Sequence, residues 1–331
     1  MIFNILNILF IVTVTVMISA ELVKRVGVAR ILKIVLINII NIIAILVIAE
    51  LAANIWAFGR ITGHYSKVMS FAESYQHFHF RPVSGENYAQ KPPVVLFGCS
   101  FTYGSGIEYA ETLGYKLAGT LKRTVYNRGI STCGIQHAIW QLEHEPLLDR
   151  IPKPEYVIYT FIPDHIRRLD LFVLNYDAIK VSWFNYPYLR YYEKNGELVQ
   201  DKSFLRQILY HSTFLKLAHV FCHKTDYPAF NTRYHQYIPL LDLHLKTLSG
   251  EIKKKWPNTK FIVLVYDNWL NSDLVEVYAD LRKQGVTILD AGMIFGVPLG
   301  DEKYIVPNDI HPSGAAWDAI VPGLVKELLS L

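Results

Sequence analysis

The stretch Val94–Gly104 reads VVLFGCSFTYG and decides the fold. Its first four residues form a short, continuous apolar run, which is typical of a strand buried on both faces of a parallel sheet. Gly98 follows the run and permits a tight turn, so the hydroxyl of Ser100 can be exposed at the carboxyl end of the strand. The stretch therefore predicts a buried strand that ends in a potential nucleophile.

Four more apolar runs of strand length follow, and segments of helical length separate them. Alternating strands and helices of this kind indicate a parallel sheet covered by helices on both faces. In such sheets the ligand site lies beyond the carboxyl ends of the strands, where Ser100 is expected. The predicted later strands are Thr124–Asn127, Tyr156–Ile162, Phe261–Tyr266 and Val286–Leu289, and the predicted helices are Thr112–Lys122, Ile135–Leu148, Tyr237–Lys254, Ser272–Lys283 and Ala315–Leu329.

A base for the serine is expected at another strand end. The stretch Pro307–Ser313, which reads PNDIHPS, lies between the last predicted strand and the final helix. A serine hydroxyl alone is a poor nucleophile and needs a neighbouring base. His311 can accept the Ser100 proton and return it later, while a nearby carboxylate fixes its tautomer and stabilises the imidazolium. The sequence therefore predicts that Ser100 and His311 act as a pair.

Three motifs resemble blocks I, II and V of the SGNH (GDSL-like) hydrolase family. They are GCSFTYGSGI after the first strand, NRGISTCG after the second and DIHPSGAAW near the C-terminus, in the family's order and over about residues 92–331. The resemblance implies a flavodoxin-like three-layer α/β/α domain with a five-stranded parallel sheet. It also implies ester hydrolysis or acyl transfer through an acyl-serine intermediate, with no metal and no organic cofactor.

The sequence departs from the family's pattern beside the nucleophile and the base. The block I Asp of the family is Cys99 here, and the Asp that usually stands three residues before the histidine is Asn308. Asp309 stands two residues before His311, and we predict it as the third catalytic residue because a carboxylate stabilises the imidazolium better than an amide. Cys99 and Cys133 follow neighbouring predicted strands, so a disulfide between them in an oxidising compartment stays an alternative.

The oxyanion hole departs from the pattern as well. Block III of the family offers an Asn, but Pro163 occupies that position and has no N–H to donate. In block II, Thr132 stands at the usual glycine position. Loss of one donor typically costs on the order of 10²–10³ in rate. We therefore predict that Gly134 or His165 supplies a replacement, with Gly129 beside them, or that the domain is slow or inactive.

Residues 165–236 interrupt the alternation of strands and helices and are rich in aromatic side chains. Asn195–Gly196 within them is a good hairpin turn. We predict an insertion made of a hairpin and helices, which either packs as an ordinary subdomain or forms a cap over the site. At its start, Arg167 and Arg168 either bind an anionic group of the substrate or belong to a solvated basic turn, and the second interpretation is the prediction.

Two apolar runs precede the domain: Met1–Ala20, without a charged residue, and Ile34–Phe58, interrupted only by Glu50. Each is long enough to span a membrane as a helix. The loop between them is basic, so the positive-inside rule places it in the cytoplasm and everything after the second run outside. A signal peptide cleaved after Ala20 is the alternative, but the basic n-region is missing. The sequence thus predicts two transmembrane helices at 1–58, a juxtamembrane connector at 59–91 and an extracytoplasmic domain at 92–331, anchored in the cytoplasmic membrane.

Composition excludes other classes of function. The net charge of +4, from 33 basic and 29 acidic residues, provides no field for binding nucleic acid. Three cysteines without a CxxC pair fit neither a disulfide scaffold nor a zinc site.

We predict the lipid bilayer as a partner and an ester of a cell-envelope glycan or lipid as substrate. An O-acyltransferase for an envelope polysaccharide and an inactive scaffold or binding subunit stay open as alternatives, and the oligomeric state is not predicted.

Overall fold

The computed structural model describes residues 28–65, 83, 88–131, 133–169, 189–203, 234–266, 274–292, 296 and 301–331 of the chain. Its internal contacts divide the protein into two compact units. The first is Met1–Gly59 and the second is Arg60–Leu331.

Helix α1, Val28–Tyr65, accounts for the described part of the first unit and ends six residues beyond it. It is longer at both ends than the predicted span Ile34–Phe58. Within it lies the apolar segment Val35–Ala53, with a mean hydropathy of 2.6 over 19 residues. This length suffices to cross the hydrocarbon core of a bilayer. The second predicted span is therefore confirmed as an apolar helix. The described residues contain one such helix rather than a hairpin, and the other predicted span, Met1–Ala20, lies outside them.

The described residues contain seven strands, which are β1 Val94–Gly98, β2 Val125–Gly129, β3 Tyr156–Phe161, β4 Tyr191–Lys194, β5 Glu197–Gln200, β6 Lys260–Val265 and β7 Thr287–Asp290. Five of them form a parallel sheet in the spatial order β2-β1-β3-β6-β7. Counted within this sheet the order is 2-1-3-4-5, which is that of flavodoxin-like folds. The predicted parallel sheet is confirmed, and each predicted strand is present within two residues of its bounds. The carboxyl ends of β1, β2 and β3 meet at one edge.

Helices cover both faces of the sheet. Side chains of β1 alternate between two cores. Val95 and Phe97 pack with the helices that begin at Ile135, Ile238 and Val275. Val94 and Leu96 pack with the helices that begin at Leu113 and Gly314. Every residue of β1 is buried, which explains why its sequence is continuously apolar. The helices of this unit are α2 Ser100–Tyr103, α3 Leu113–Leu121, α4 Ile135–His144, α5 Asp164–Arg167, α6 Ile238–Lys255, α7 Val275–Lys283 and α8 Gly314–Ser330.

Strands β4 and β5 form the antiparallel hairpin predicted within the insertion. Its two turn residues, Asn195 and Gly196, have φ of 56° and 82°. Both lie in the left-handed region that a type I′ turn requires, and Asn-Gly is the preferred pair for it. The structure describes 165–169, 189–203 and 234–236 of the predicted insertion, so the predicted cap lies largely outside the described residues.

Candidate active site

The turn that carries Ser100 is compressed against the end of β1. Gly98 has a φ of 151°, and a Cβ there would lie 2.1 Å from Thr102 Oγ1, so only glycine fits. Ser100 opens helix α2, and its N–H is therefore one of the first-turn donors that have no intrahelical acceptor. The predicted tight turn after the strand is confirmed.

The end of β2 packs against the same turn. A Cβ on Gly129 would lie 2.6 Å from the backbone nitrogen of Tyr103, so glycine permits this close approach. Asn127 Nδ2 donates to Thr102 O at 2.7 Å, and Asn127 Oδ1 accepts from Gly129 N at 2.9 Å. Gly129 thus lies beside the turn that carries Ser100, and its N–H is already engaged by Asn127.

His311 is presented by a short loop whose backbone is closed by hydrogen bonds. Val306 N donates to His311 O at 2.9 Å, and Asp309 N donates to Val306 O at 2.9 Å. Asn308 between them has a φ of 60°, a left-handed conformation that Asn tolerates better than most residues. The side chain of Ser313 accepts from Ala316 N and caps α8 directly after the loop. Both ends of the loop are therefore fixed.

The structure brings the three predicted catalytic side chains together. His311 Nε2 lies 2.7 Å from Ser100 Oγ, and His311 Nδ1 lies 2.7 Å from Asp309 Oδ1. Asp309 Oδ1 also accepts from Ile310 N at 2.6 Å. Burial raises the pKa of Asp309, but its hydrogen bond with His311, the charge of that imidazole and backbone N–H donors outweigh burial, so the net pKa is lowered. Asp309 is therefore a carboxylate at neutral pH and accepts from Nδ1, which leaves Nε2 facing the serine.

Gly134, a predicted oxyanion donor, lies in the loop between β2 and α4. Gly134 is the N-cap of α4, and its N–H points to His137 Nδ1 at 3.3 Å. Pro163 precedes α5 as its N-cap and offers no N–H. Thr132 lies outside the described residues. The structure therefore places the N–H of Ser100 just after β1, at the start of α2, and the N–H of Gly134 at the start of α4.

His165 lies in the core rather than at the surface. It is fully buried, its ring packs against Tyr159 and Phe161, and its Nδ1 lies 2.7 Å from the Tyr159 hydroxyl. Burial, followed by the charges of Arg168 and His137, holds the pKa of His165 well below its ordinary value. His165 is accordingly a neutral imidazole on the sheet face that α4 covers.

Solved structures similar to this chain include lipolytic proteins of the G-D-S-L family and carbohydrate esterases. A member of the lipolytic protein G-D-S-L family from Veillonella parvula is 11% identical and matches 73% of this chain and 100% of its own, with a TM-score of 0.40. A carbohydrate esterase family 2 enzyme from Corynascus thermopiles is 12% identical over 72% of this chain and 66% of its own, with a TM-score of 0.40. A salicylyl-acyltransferase from a tetracycline biosynthetic pathway is 15% identical over 74% of this chain and 56% of its own, with a TM-score of 0.41. No family model and no curated protein matches the sequence.

The arginines after His165 do not form the predicted solvated turn. Arg167 is 8% exposed, and both Arg167 and Arg168 pair with Asp164. Arg168 also donates to Cys133 O at 2.7 Å, and its own carbonyl accepts from Gln136 Nε2 at 2.7 Å. These contacts tie the end of β3 to the loop after β2. The i, i+3 and i, i+4 spacing of Asp164 to the arginines was the signal in the sequence that could have predicted this cluster.

Cys99 and Cys133 are both free and buried, so the alternative of a disulfide between them is not present in the structure. Burial raises the pKa of the Cys133 thiol, outweighing the charge of Arg168. Among the residues that the structure describes, no group of three His, Cys, Asp or Glu side chains could hold a metal ion.

Proposed function

We propose that this chain is a serine ester hydrolase. The observation that carries the proposal is the hydrogen-bonded relay from Ser100 through His311 to Asp309, with both bonds at 2.7 Å. This arrangement holds a hydroxyl against a base and the base against a carboxylate, and it generates an oxygen nucleophile at neutral pH. Its position at the carboxyl edge of a parallel sheet supports the proposal, because such folds bind ligands there.

In the first half-reaction, Ser100 Oγ attacks the carbonyl carbon of the ester while His311 Nε2 takes the hydroxyl proton. The imidazolium that forms is stabilised by the Asp309 carboxylate at Nδ1. When the tetrahedral intermediate collapses, the bond to the alcohol oxygen breaks and His311 donates the proton to that oxygen. The alcohol leaves, and the acyl group remains on Ser100 as an ester.

In the second half-reaction, a water molecule replaces the alcohol. The water oxygen attacks the acyl carbon while His311 Nε2 takes a proton from the water. The new tetrahedral intermediate expels Ser100 Oγ, which takes the proton back from His311. The carboxylic acid is released and the free serine is restored.

In this proposal the N–H groups of Ser100 and Gly134 hold the oxyanion. The contact of Gly134 N with His137 Nδ1, at 3.3 Å, is longer than the usual N–H hydrogen bond of roughly 2.9–3.0 Å, so a developing negative charge competes for this donor. The Gly129 N–H already donates to Asn127, and His165 is fully buried. These two residues are assigned to supporting the site rather than to contacting the substrate.

The proposed substrate is an ester of a cell-envelope glycan or lipid, and the proposed location is the outer side of the cytoplasmic membrane. Helix α1 supports anchoring, because its apolar segment is long enough to span the bilayer. More basic residues precede this segment than follow it closely, which supports a cytoplasmic N-terminal end and an extracytoplasmic domain. The basic residues before the segment are Lys24, Arg25, Arg30 and Lys33, and those just after it are Arg60 and Lys67.

Labelling with a fluorophosphonate tests the proposal, since this probe forms an adduct with an activated serine. We expect the native full-length chain to be labelled and Ser100→Ala to be unlabelled, with loss of p-nitrophenyl acetate hydrolysis in parallel. Ser203→Ala, at the end of the β4–β5 hairpin, is the matched control and is expected to be labelled like the native chain.

Absence of an adduct in the folded native protein would overturn the hydrolase proposal and favour a binding subunit, for which Pro163 in place of a donor is the supporting feature. Addition of an envelope oligosaccharide to the same assay separates two reactions. Acylated sugar in place of free acetate would assign the site to acyl transfer instead of hydrolysis.

A further inference from the structure

The aromatic ring of Phe101 lies between the catalytic imidazole and the core. Its centroid is 5.2 Å from that of His311, with an angle of 54° between the ring planes. The same ring meets Tyr266 at a centroid distance of 5.3 Å in an edge-to-face arrangement. Phe101 is 8% exposed although it directly follows the nucleophile. The ring therefore connects the imidazole with the interior of the domain.

Phe101 is held in place by buried aromatic packing. Tyr266 follows β6, is anchored by the hydrogen bond from its N–H to Phe161 O at 2.8 Å, and packs against Trp317 of α8 at 5.4 Å. Trp317 is fully buried. Because protein interiors are packed as densely as organic crystals, a ring that contacts Tyr266, which itself packs on the buried Trp317, has little room to move away.

The contact between Phe101 and His311 becomes important in the acyl-enzyme. Before acylation, His311 is held at Nε2 by Ser100 and at Nδ1 by Asp309. Acylation replaces the hydroxyl proton of Ser100, so the serine can no longer donate to Nε2. His311 then has one hydrogen-bonded anchor left, at the moment when it must take a proton from water. Its contact with Phe101 does not depend on the state of the serine.

We infer that Phe101 is a positioning residue that keeps His311 in place during hydrolysis of the acyl-enzyme. The inference rests on the proposed function. In that step the water oxygen bonds to the acyl carbon, the water proton passes to His311 Nε2, and Ser100 Oγ departs with that proton. An imidazole that swings toward solvent, to which its side chain is already 19% exposed, leaves the water without a base.

Pre-steady-state hydrolysis of p-nitrophenyl acetate by the full-length protein tests the inference. For Phe101→Leu we expect the acylation burst to slow by no more than about twofold and the steady-state phase by about tenfold, because small misplacements of a catalytic group are costly. The acetyl-enzyme should then accumulate, as detected by intact mass. Phe101→Tyr keeps the ring and should restore the steady-state rate to within about twofold of native, whereas Phe101→Met, which keeps apolar volume without a ring, should resemble the Leu variant.

Phe261→Leu is the matched control, since it makes the same substitution at a 2% exposed site near the start of β6, on the other face of the sheet. It should lower thermal stability comparably and leave the ratio of the two phases unchanged. Equal slowing of both phases in Phe101→Leu, or the same pattern in Phe261→Leu, would overturn the inference. Failure of the native chain to be acylated at all would instead overturn the proposed function.

Discussion

At the scale of single residues, the carboxylate that holds His311 stands one position later than the resemblance to the family alone suggests. Asn308 occupies a left-handed position with a φ of 60°. Asp309 follows it, donates its N–H to Val306 O, and directs Oδ1 to His311 Nδ1. The two residues thus have different roles in the turn: Asn308 adopts the left-handed backbone conformation, and Asp309 places its carboxylate against the imidazole.

Substitution of Asp309 tests this division. We expect Asp309→Asn to lower kcat for ester hydrolysis by about 10³–10⁴-fold, because an amide no longer selects the productive tautomer of His311. Asn308→Gly is the matched variant, since glycine adopts positive φ without strain, and it should keep kcat within about twofold of native. Steady-state kinetics on p-nitrophenyl acetate provide the measurement. The reverse result, with Asn308→Gly inactive and Asp309→Asn active, would assign the orienting role to Asn308.

At the scale of elements, the position of Ser100, the proposed nucleophile, depends on how closely β2 approaches α2. A Cβ on Gly129 would lie 2.6 Å from Tyr103 N and 2.9 Å from Thr102 C, which are backbone atoms that cannot rotate away. Asn127 reinforces the approach through its bond to Thr102 O. The geometry of Ser100 is therefore set by a neighbouring strand as well as by its own turn.

Gly129→Ala should separate β2 from α2. We expect a loss of about 1–3 kcal/mol in the free energy of unfolding, as for other overpacked sites, and a loss of at least about tenfold in the rate of fluorophosphonate labelling. Gly119→Ala, inside α3 with no atom within 4 Å of the added methyl group, is the control. It should gain about 0.5–1 kcal/mol and keep the labelling rate. A native labelling rate in Gly129→Ala would show that the close approach is not needed.

Sequence patterns predicted the central sheet well because burial on both faces leaves continuous apolar runs, as in β1. They also singled out Ser100, His311 and Asp309, which the structure brings together, since each occurs in a short local motif. The catalytic roles of these residues stay predictions. They did not predict the pairing of Arg167 and Arg168 with Asp164, because the spacing that favours these ion pairs does not show that the cluster is buried. The engagement of Gly129 by Asn127 was equally hidden, since it depends on side-chain directions within one strand.

At the scale of the whole domain, three histidines that are buried in the described part of the chain should make stability depend on pH. Burial lowers the pKa of His137 to about 3, that of His244 to about 4, and that of His165 well below its ordinary value. Folded, all three stay neutral at pH 5, whereas in the unfolded chain each binds a proton below an ordinary pKa of about 6.5. The unfolded state therefore binds more protons in this range, and stability falls as the pH falls below about 6.5.

Each of these histidines should contribute a loss of about 2 kcal/mol between pH 7.5 and pH 5.0, and the three together about 6 kcal/mol. Denaturation by urea, followed by tryptophan fluorescence of the full-length protein in detergent, measures this loss. In His244→Gln the loss of stability between pH 7.5 and pH 5.0 should shrink by about 2 kcal/mol. At pH 7.5, where His244 is neutral in both states, the difference in stability between variant and native protein measures the packing that the substitution removes. An unchanged pH dependence in His244→Gln would mean that His244 is protonated in the folded state.

In the proposed anchoring, the orientation of α1 decides on which side of the membrane the Ser100–His311–Asp309 relay lies. Its basic flank precedes the apolar segment, so we expect the domain that follows to be translocated. Alkaline phosphatase fused after Leu331 should be active, whereas green fluorescent protein fused at the same site should not fluoresce. The protein should stay in the membrane pellet after a carbonate wash.

Replacing the four basic residues before the segment by Gln should lower phosphatase activity several-fold at equal protein level, because the charge difference that orients the helix is then reversed. A fluorescent fusion of the native chain would put the serine and histidine on the cytoplasmic side, where envelope esters beyond the membrane are out of reach, and would restrict the substrate to esters on that side. The basic residues replaced in this variant are Lys24, Arg25, Arg30 and Lys33.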